Sequence, residues 1–215
     1  MTSSAPRPEA VRIAVFAKAP IPGEVKTRLA ALLGADRAAG LQAGLIRHAL
    51  STAVQARVGA LELWCAPDVS HPFFERCAKE FGASLKRQEG ADLGERMRRA
   101  FDASFAEGAA LIVIGADCPA LRSTDLEEAA AQLRTHDAVI APAEDGGYVL
   151  VGLARPAPML FEGIAWGTSA VMGETRSKLA RAGVRFKELA TFWDVDRPED
   201  YARLQQVGLL AEVLS

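Results

Sequence analysis

Cysteine is scarce in this chain and poorly spaced for chemistry: there are three, Cys65, Cys77 and Cys118, with no CxxC pair. An odd, scattered set excludes a disulfide framework and a zinc cluster, and points to a reducing compartment, the cytoplasm. Long apolar runs are also missing. No stretch approaches the ~20 residues needed to span a bilayer. The opening MTSSAPRPEA lacks the apolar core of a signal peptide. Residues 1–10 are expected to form a flexible tail, leaving 11–215 as a single domain. Neither sign of charge dominates, since 25 Lys and Arg stand against 27 Asp and Glu for a formal net charge of −2. That balance argues against a general nucleic-acid or membrane surface. The Walker pattern GxxxxGK[ST] and the zinc pattern HExxH are absent. His48, His71 and His136 are scattered and read as surface or core fillers.

What is present is apolar substance. Half of the 215 residues are hydrophobic, enough to bury a core without staples. Strand-like and helix-like periodicities alternate. Strands are expected at residues 11–17, 61–65, 84–87, 111–114, 138–141, 148–153 and 184–189. Helices are expected from about 26, over 36–56 with Asp36 as N-cap, over 71–81, from about 93, and over 123–134, 168–182 and 197–207. Leu93, Met97, Ala100/Phe101 and Ser104/Phe105 recur at helical spacing. The unbroken LIVI of 111–114 predicts a strand covered on both sides. The alternation predicts an α/β fold, a three-layer αβα sandwich on a mostly parallel sheet. The turn Glu144-Asp145-Gly146-Gly147 could join two strands as a hairpin, making that sheet mixed. In such folds ligands bind at the carboxyl ends of the strands.

The strand ends carry the candidate residues. The first runs into Lys18-Ala-Pro-Ile-Pro-Gly23-Glu-Val-Lys26-Thr-Arg28. Pro22-Gly23 suits a type II turn. Lys26 and Arg28 crowd a helix start, where the macrodipole disfavours cations; a bound polyphosphate would supply the opposing charge. LIVI ends in Gly115-Ala116-Asp117-Cys118-Pro119. A carboxylate there suits Mg²⁺, which is commonly held by one or two carboxylates plus phosphate oxygens. Near the C-terminus, Asp194 and Asp196 would point to one side of an extended segment. Asp196-x-x-Glu199 also matches a capping box, so capping is assigned to Asp196 first and ligation second, and Asp194 is the better partner for Asp117. Asp92 and Glu95 match another capping box, leaving Gly90, Gly94 and Arg96 for a base or phosphate contact. Cys118 reads as a small packing residue.

Together, FAKAPIPGEVKTRL at 16–29, GADCP at 115–119, EDGGYVLVGL at 144–153, Trp166-Gly167-Thr168 and DVDRPED at 194–200 resemble the bacterial DUF2064 family of glycosyltransferase-like proteins. The resemblance spans residues 11–207. It implies a Rossmann-like GT-A fold of the nucleotide-diphospho-sugar transferase superfamily and a transferase using Mg²⁺ or Mn²⁺. The nucleotide would be held by Ala17, Lys18, Gly23, Lys26, Arg28, Gly90, Gly94 and Arg96. The metal would lie on Asp117, Asp194 and Asp196, and Lys26, Arg28 and Asp117 would be catalytic. Asp145, Gly146, Gly147, Tyr148, Trp166 and Thr168 would line the acceptor side. Glycosyl transfer from a nucleotide sugar to a small acceptor is the first expectation. Where glycosyltransferases carry Asp-x-Asp, this chain has Gly115-Ala116-Asp117. That single acid resembles nucleotidyltransferases such as the molybdenum-cofactor and phospholactate guanylyltransferases. The alternative is therefore transfer of NMP from an NTP to a phosphate- or phosphonate-bearing small molecule. A non-catalytic nucleotide-binding protein is a third reading. Oligomeric state stays open, a homodimer included. Asp117→Ala is expected to abolish turnover while leaving thermal unfolding nearly unchanged.

Overall fold

The computed structural model describes residues 8–214; most of the expected N-terminal tail, residues 1–7, lies outside the described residues. The first strand, β1 (Ala10–Lys18), begins one residue before the boundary set by composition. Its side chains alternate as period two requires: Ile13, Val15 and Ala17 enter one apolar cluster, and Ala14 and Phe16 enter another on the opposite face. β4 (Ala109–Gly115) is buried on both sides, as LIVI predicts.

Six further strands complete one seven-stranded sheet: β2 (Ala60–Ala66), β3 (Ser84–Arg87), β4, β5 (Ala138–Pro142), β6 (Tyr148–Leu153) and β7 (Phe186–Glu188), in the order β3-β2-β1-β4-β6-β5-β7. Only β6 runs against the rest: it pairs antiparallel with both β4 and β5, while β1 pairs parallel with β2 and β4. The expected 144–147 hairpin is thus present and the sheet is mixed. The order reverses between β1 and β4, so a crevice opens beyond their carboxyl ends. Helices α2 (Ala35–Ala56), α3 (Pro72–Phe81) and α5 (Ser123–Leu133) cover one face; α4 (Leu93–Ala106) and α6 (Val171–Arg181) cover the other. This is the three-layer αβα sandwich. A third apolar cluster joins α1 (Thr27–Leu33), α2, α7 (Pro198–Gln206) and α8 (Leu209–Leu214) around Trp193 and Val195. Among the described residues no helix is long and apolar enough to cross a membrane.

Several local expectations shift. Gly34, at φ +80°, is the N-cap of α2, and Asp36 sits in the first turn, where a carboxylate favours the dipole without capping. The helix expected over 168–182 begins at Val171, because Thr168 bends the chain first: its hydroxyl donates to Ala165 O (2.8 Å) and accepts from Ala170 N (3.3 Å). Leu93 is exposed and faces a cleft rather than the core. The short 3₁₀ turn Pro158–Phe161 and α8 have too few turns to show a period.

Candidate active site

β1 leads into a turn of type II. Glu24 N donates to Ile21 O (3.0 Å) and Gly23 takes φ +82°, as expected for Pro22-Gly23. The chain then turns inward at Lys26, a non-glycine residue at φ +47°. This left-handed position costs about 1–2 kcal/mol and sends the side chain back toward the sheet. The Lys26 side chain is only 4% exposed, and its Nζ lies 2.7 Å from Oδ1 of Asp117, just past β4. Asp117 as a whole is half exposed, but Oδ1 is buried and takes no hydrogen bond of good geometry. The contact is one of charge, across the switch between β1 and β4.

Asp194 joins them from the C-terminal segment. Val195 N donates to Asp117 O (2.8 Å), which fixes the segment against the end of β4. Burial pushes the Asp194 carboxyl up to about 6, with the negative charges of Asp145 and then Asp117 adding to the effect and Lys26 opposing it. Asp194 thus lies within reach of the charges of Asp145, Asp117 and Lys26.

Asp196 does not join this group. Its carboxylate is ion-paired with Arg28. Nor does it cap α7: Arg197 holds the N-cap position, and Asp200 reaches back to accept from Arg197 N (2.7 Å) and Asp196 N (3.1 Å). The capping residue lies one position further along than expected, because the chain stays extended through Arg197 and Pro198 opens the first turn. Arg28 is largely exposed and ion-paired with Asp196, so the pair ties α1 to the C-terminal segment.

A cleft of about 720 Å³ opens beside Asp117. Of the residues expected to hold the nucleotide, Ala17, Lys18, Gly90 and Arg96 line it; Gly23, Lys26, Arg28 and Gly94 do not. Gly94 has a packing role: a Cβ there would lie 2.4 Å from Trp166 Nε1. Lys18 Nζ donates to Glu24 O (2.7 Å), closing the first loop on itself. Arg96 donates through Nε to Gly90 O (3.2 Å). The strand-end rule also points to Arg87 and Gln88, which line the cleft after β3. Gln88 Nε2 donates to Trp64 O (2.7 Å) and Ala17 O (3.2 Å), lacing β1 and β2 together. A larger groove of about 1090 Å³ lies behind, along α2, residues 119–124 and α8, but it contains none of the expected site residues.

Among the residues expected to line the acceptor side, Asp145 Oδ1 accepts from Gly147 N (2.8 Å). Gly146, at φ +91°, is needed for its own packing: an added Cβ would sit 2.3 Å from Ser169 O. Tyr148 and Trp166 meet edge to face, centroids 6.3 Å apart, with the Tyr148 hydroxyl 3.9 Å from Met97 Sδ.

Among the described residues no three His, Cys, Asp or Glu side chains cluster closely enough to hold an ion by themselves. The buried, hydrogen-bond-free Asp117 Oδ1 and the nearby Asp194 form a smaller set of hard oxygens. Such a set fits a divalent cation whose remaining positions are filled by water and substrate phosphates.

Residues 29–168 match the family model described as "Uncharacterized protein conserved in bacteria (DUF2064)"; Lys26 and Asp194 lie outside that span. The chain is 31% identical over 181 residues to a 3-phospho-D-glycerate guanylyltransferase of Phenylobacterium zucineum (strain HLK1), covering 81% of each. A crystal structure from Desulfovibrio desulfuricans G20, assigned to the nucleotide-diphospho-sugar transferases, is 33% identical, with a TM-score of 0.80 over 87% of this chain and 82% of the other. A nucleotidyl transferase from Methanothermobacter thermautotroptrophicus shares the fold (TM-score 0.64, 15% identity, 94% of this chain and 99% of that one). The chain belongs to the DUF2064 family, among transferases built on the nucleotidyl- and nucleotide-sugar-transferase fold.

Proposed function

We propose that the protein is a nucleotidyltransferase. It would bind an NTP, with GTP the first donor to test, and pass NMP to a phosphate-bearing small molecule with release of pyrophosphate. The observation that carries this reading is the buried Lys26 ammonium against Asp117 at the β1/β4 switch. A cation held there, with Lys18, Arg87 and Arg96 along the neighbouring cleft, suits a triphosphate. The 31% identity to a guanylyltransferase supports placing nucleotidyl transfer ahead of glycosyl transfer, the order opposite to that expected from the family resemblance and in line with the single acid of Gly115-Ala116-Asp117.

In this reaction an oxygen of the acceptor phosphate attacks the α-phosphorus. The bond from that phosphorus to the α–β bridging oxygen breaks, and pyrophosphate leaves. Lys26 and Lys18 neutralise charge on the transferring and leaving oxygens, an electrostatic contribution that is largest in a water-poor site. Arg87 and Arg96 hold the donor along the cleft. Asp117 and Asp194 would hold Mg²⁺ or Mn²⁺, which supplies charge neutralisation on the triphosphate. Asp145, Tyr148 and Trp166 border the acceptor.

Glycosyl transfer is the second reading, favoured by the 33% identity to the Desulfovibrio structure. One assay separates the two: pyrophosphate release from a panel of NTPs with 3-phosphoglycerate and related phosphorylated acids, against nucleoside diphosphate release from nucleotide sugars. Metal-dependent pyrophosphate is expected. Nucleoside diphosphate alone would assign glycosyl transfer, and binding without turnover of any donor would leave a binding protein.

A further inference from the structure

The C-terminal segment that carries Asp194 is fastened to the turn that carries Asp145. The turn after β5 and the C-terminal segment form a short parallel ladder: Phe192 N donates to Pro142 O (2.9 Å), Glu144 N donates to Phe192 O (2.9 Å), and Ala143 stands opposite Phe192. The ladder ends there: Glu144 and Asp145 enter the turn closed by Gly146 N donating to Ala143 O (3.1 Å), while Val195 N donates to Asp117 O (2.8 Å) at the end of β4. Trp193 and Asp194 therefore lie between one backbone contact to the turn and one to β4.

Arg203, on α7, clamps the next residue of each segment, Glu144 and Trp193. Its guanidinium makes a two-point contact with Glu144, 2.7 Å and 3.1 Å. The same guanidinium lies over the Trp193 ring, 4.5 Å from its centroid. A planar, delocalised cation can satisfy a carboxylate in its plane and an aromatic ring at its face together; an ammonium matches this geometry poorly. One side chain therefore holds the residue before Asp145 and the residue before Asp194.

We propose that Arg203 is a positioning residue that holds the segment carrying Asp194 against the turn carrying Asp145, next to the end of β4, so that Asp117 and Asp194 can accept a divalent cation. The proposal rests on the reading that Asp117 and Asp194 hold the metal. Its direction distinguishes it from a charge effect. Removing a nearby positive charge would by itself strengthen cation binding, whereas loss of positioning weakens it.

The test is Mn²⁺ binding by the full-length protein in the presence of GTP, followed by electron paramagnetic resonance. The proteins compared are wild type, Arg203→Ala, Arg203→Lys, Asp117→Asn and Asp194→Asn, each checked for folding by thermal melting. Arg203→Ala is expected to raise the Mn²⁺ half-saturation about tenfold. Arg203→Lys, which keeps the charge and the fold, is expected to fall between it and wild type. At saturating metal the KM for GTP should stay within twofold of wild type. Unchanged or tighter Mn²⁺ binding in a folded Arg203 variant, with binding lost in the two aspartate variants, would overturn the positioning role alone. If the aspartate variants also bind Mn²⁺ normally, the metal reading and this proposal fall together.

Discussion

Lys26 Nζ lies 2.7 Å from Asp117 Oδ1, with the lysine side chain 4% exposed and the aspartate 46%. The ammonium is enclosed while its partner faces both the ammonium and the cleft. Removing either residue therefore has different consequences. Lys26→Ala leaves a half-solvated carboxylate, which water can satisfy. It is expected to weaken NTP binding by about 1.5–3 kcal/mol, the range for hydrogen bonds to charged groups, with little loss of stability. Isothermal titration with a non-hydrolysable GTP analogue measures this, and an unaltered Kd would remove Lys26 from the donor site.

Asp117→Ala leaves an enclosed ammonium without its counter-charge. The sequence suggested a variant dead in turnover but normal in unfolding; the ion pair changes the second half of that expectation. A stability loss of about 1–3 kcal/mol should accompany loss of activity, below the full penalty for a completely buried pair because Asp117 is half exposed. Urea unfolding checks it, and the double variant Lys26→Met/Asp117→Ala should recover part of the loss.

Asp194 should show the opposite relation between stability and function. Its carboxyl is held at about 6 against an ordinary value of 3.8. The folded protein keeps that proton more tightly than the unfolded chain. Its stabilising contribution is therefore fully present below about pH 4 and lost as the pH rises through about 6. In metal-free protein at pH 8, Asp194→Asn is expected to gain about 1–2 kcal/mol, a value reduced for solvent screening of a half-buried group. At pH 4 the two proteins should unfold alike. Urea titrations at both pH values decide it; an equal difference at both would mean that burial does not raise this carboxyl.

The cysteines should be silent in the native protein. All three are buried free thiols. Burial, the largest cause in each case, pushes Cys65 and Cys118 up to about 12 and Cys77 up to about 11. Thiolate is the reactive form, so a disulfide reagent at pH 8 should titrate none in native protein and all three in denaturant. Fast native labelling of Cys118, next to Asp117, would contradict its packing role.

Gly146 and Gly147 should respond differently to alanine. At Gly146 the new Cβ meets Ser169 O at 2.3 Å and φ is +91°; at Gly147 it meets only Asp145 Oδ1 at 3.2 Å, with φ outside the left-handed region. Gly146→Ala should destabilise by about 2 kcal/mol or more through overpacking and backbone strain. Gly147→Ala should stay within about 1 kcal/mol. Urea unfolding of both tests the contrast.

Local order was written plainly in the chain. The unbroken LIVI, the alternation in β1, the Pro22-Gly23 turn and the Glu144–Gly147 hairpin all follow from period, burial and turn chemistry within a few residues. Asp117 was legible as a strand-end carboxylate because it follows an unbroken apolar run; that this strand stands at the β1/β4 switch, and so opens onto the crevice, was decided by the sheet order. What the tertiary structure alone decided were pairings across long separations. Asp196 pairs with Arg28, 168 residues away, and does not cap α7. Gly94 and Gly146 pack against Trp166 and Ser169. Arg203 found Glu144 across 59 residues with no motif to announce it. The physical reason is common to all three: a side chain's charge and shape are local properties, but which opposite charge or surface reaches it first depends on how the sheet and its helices fold around it.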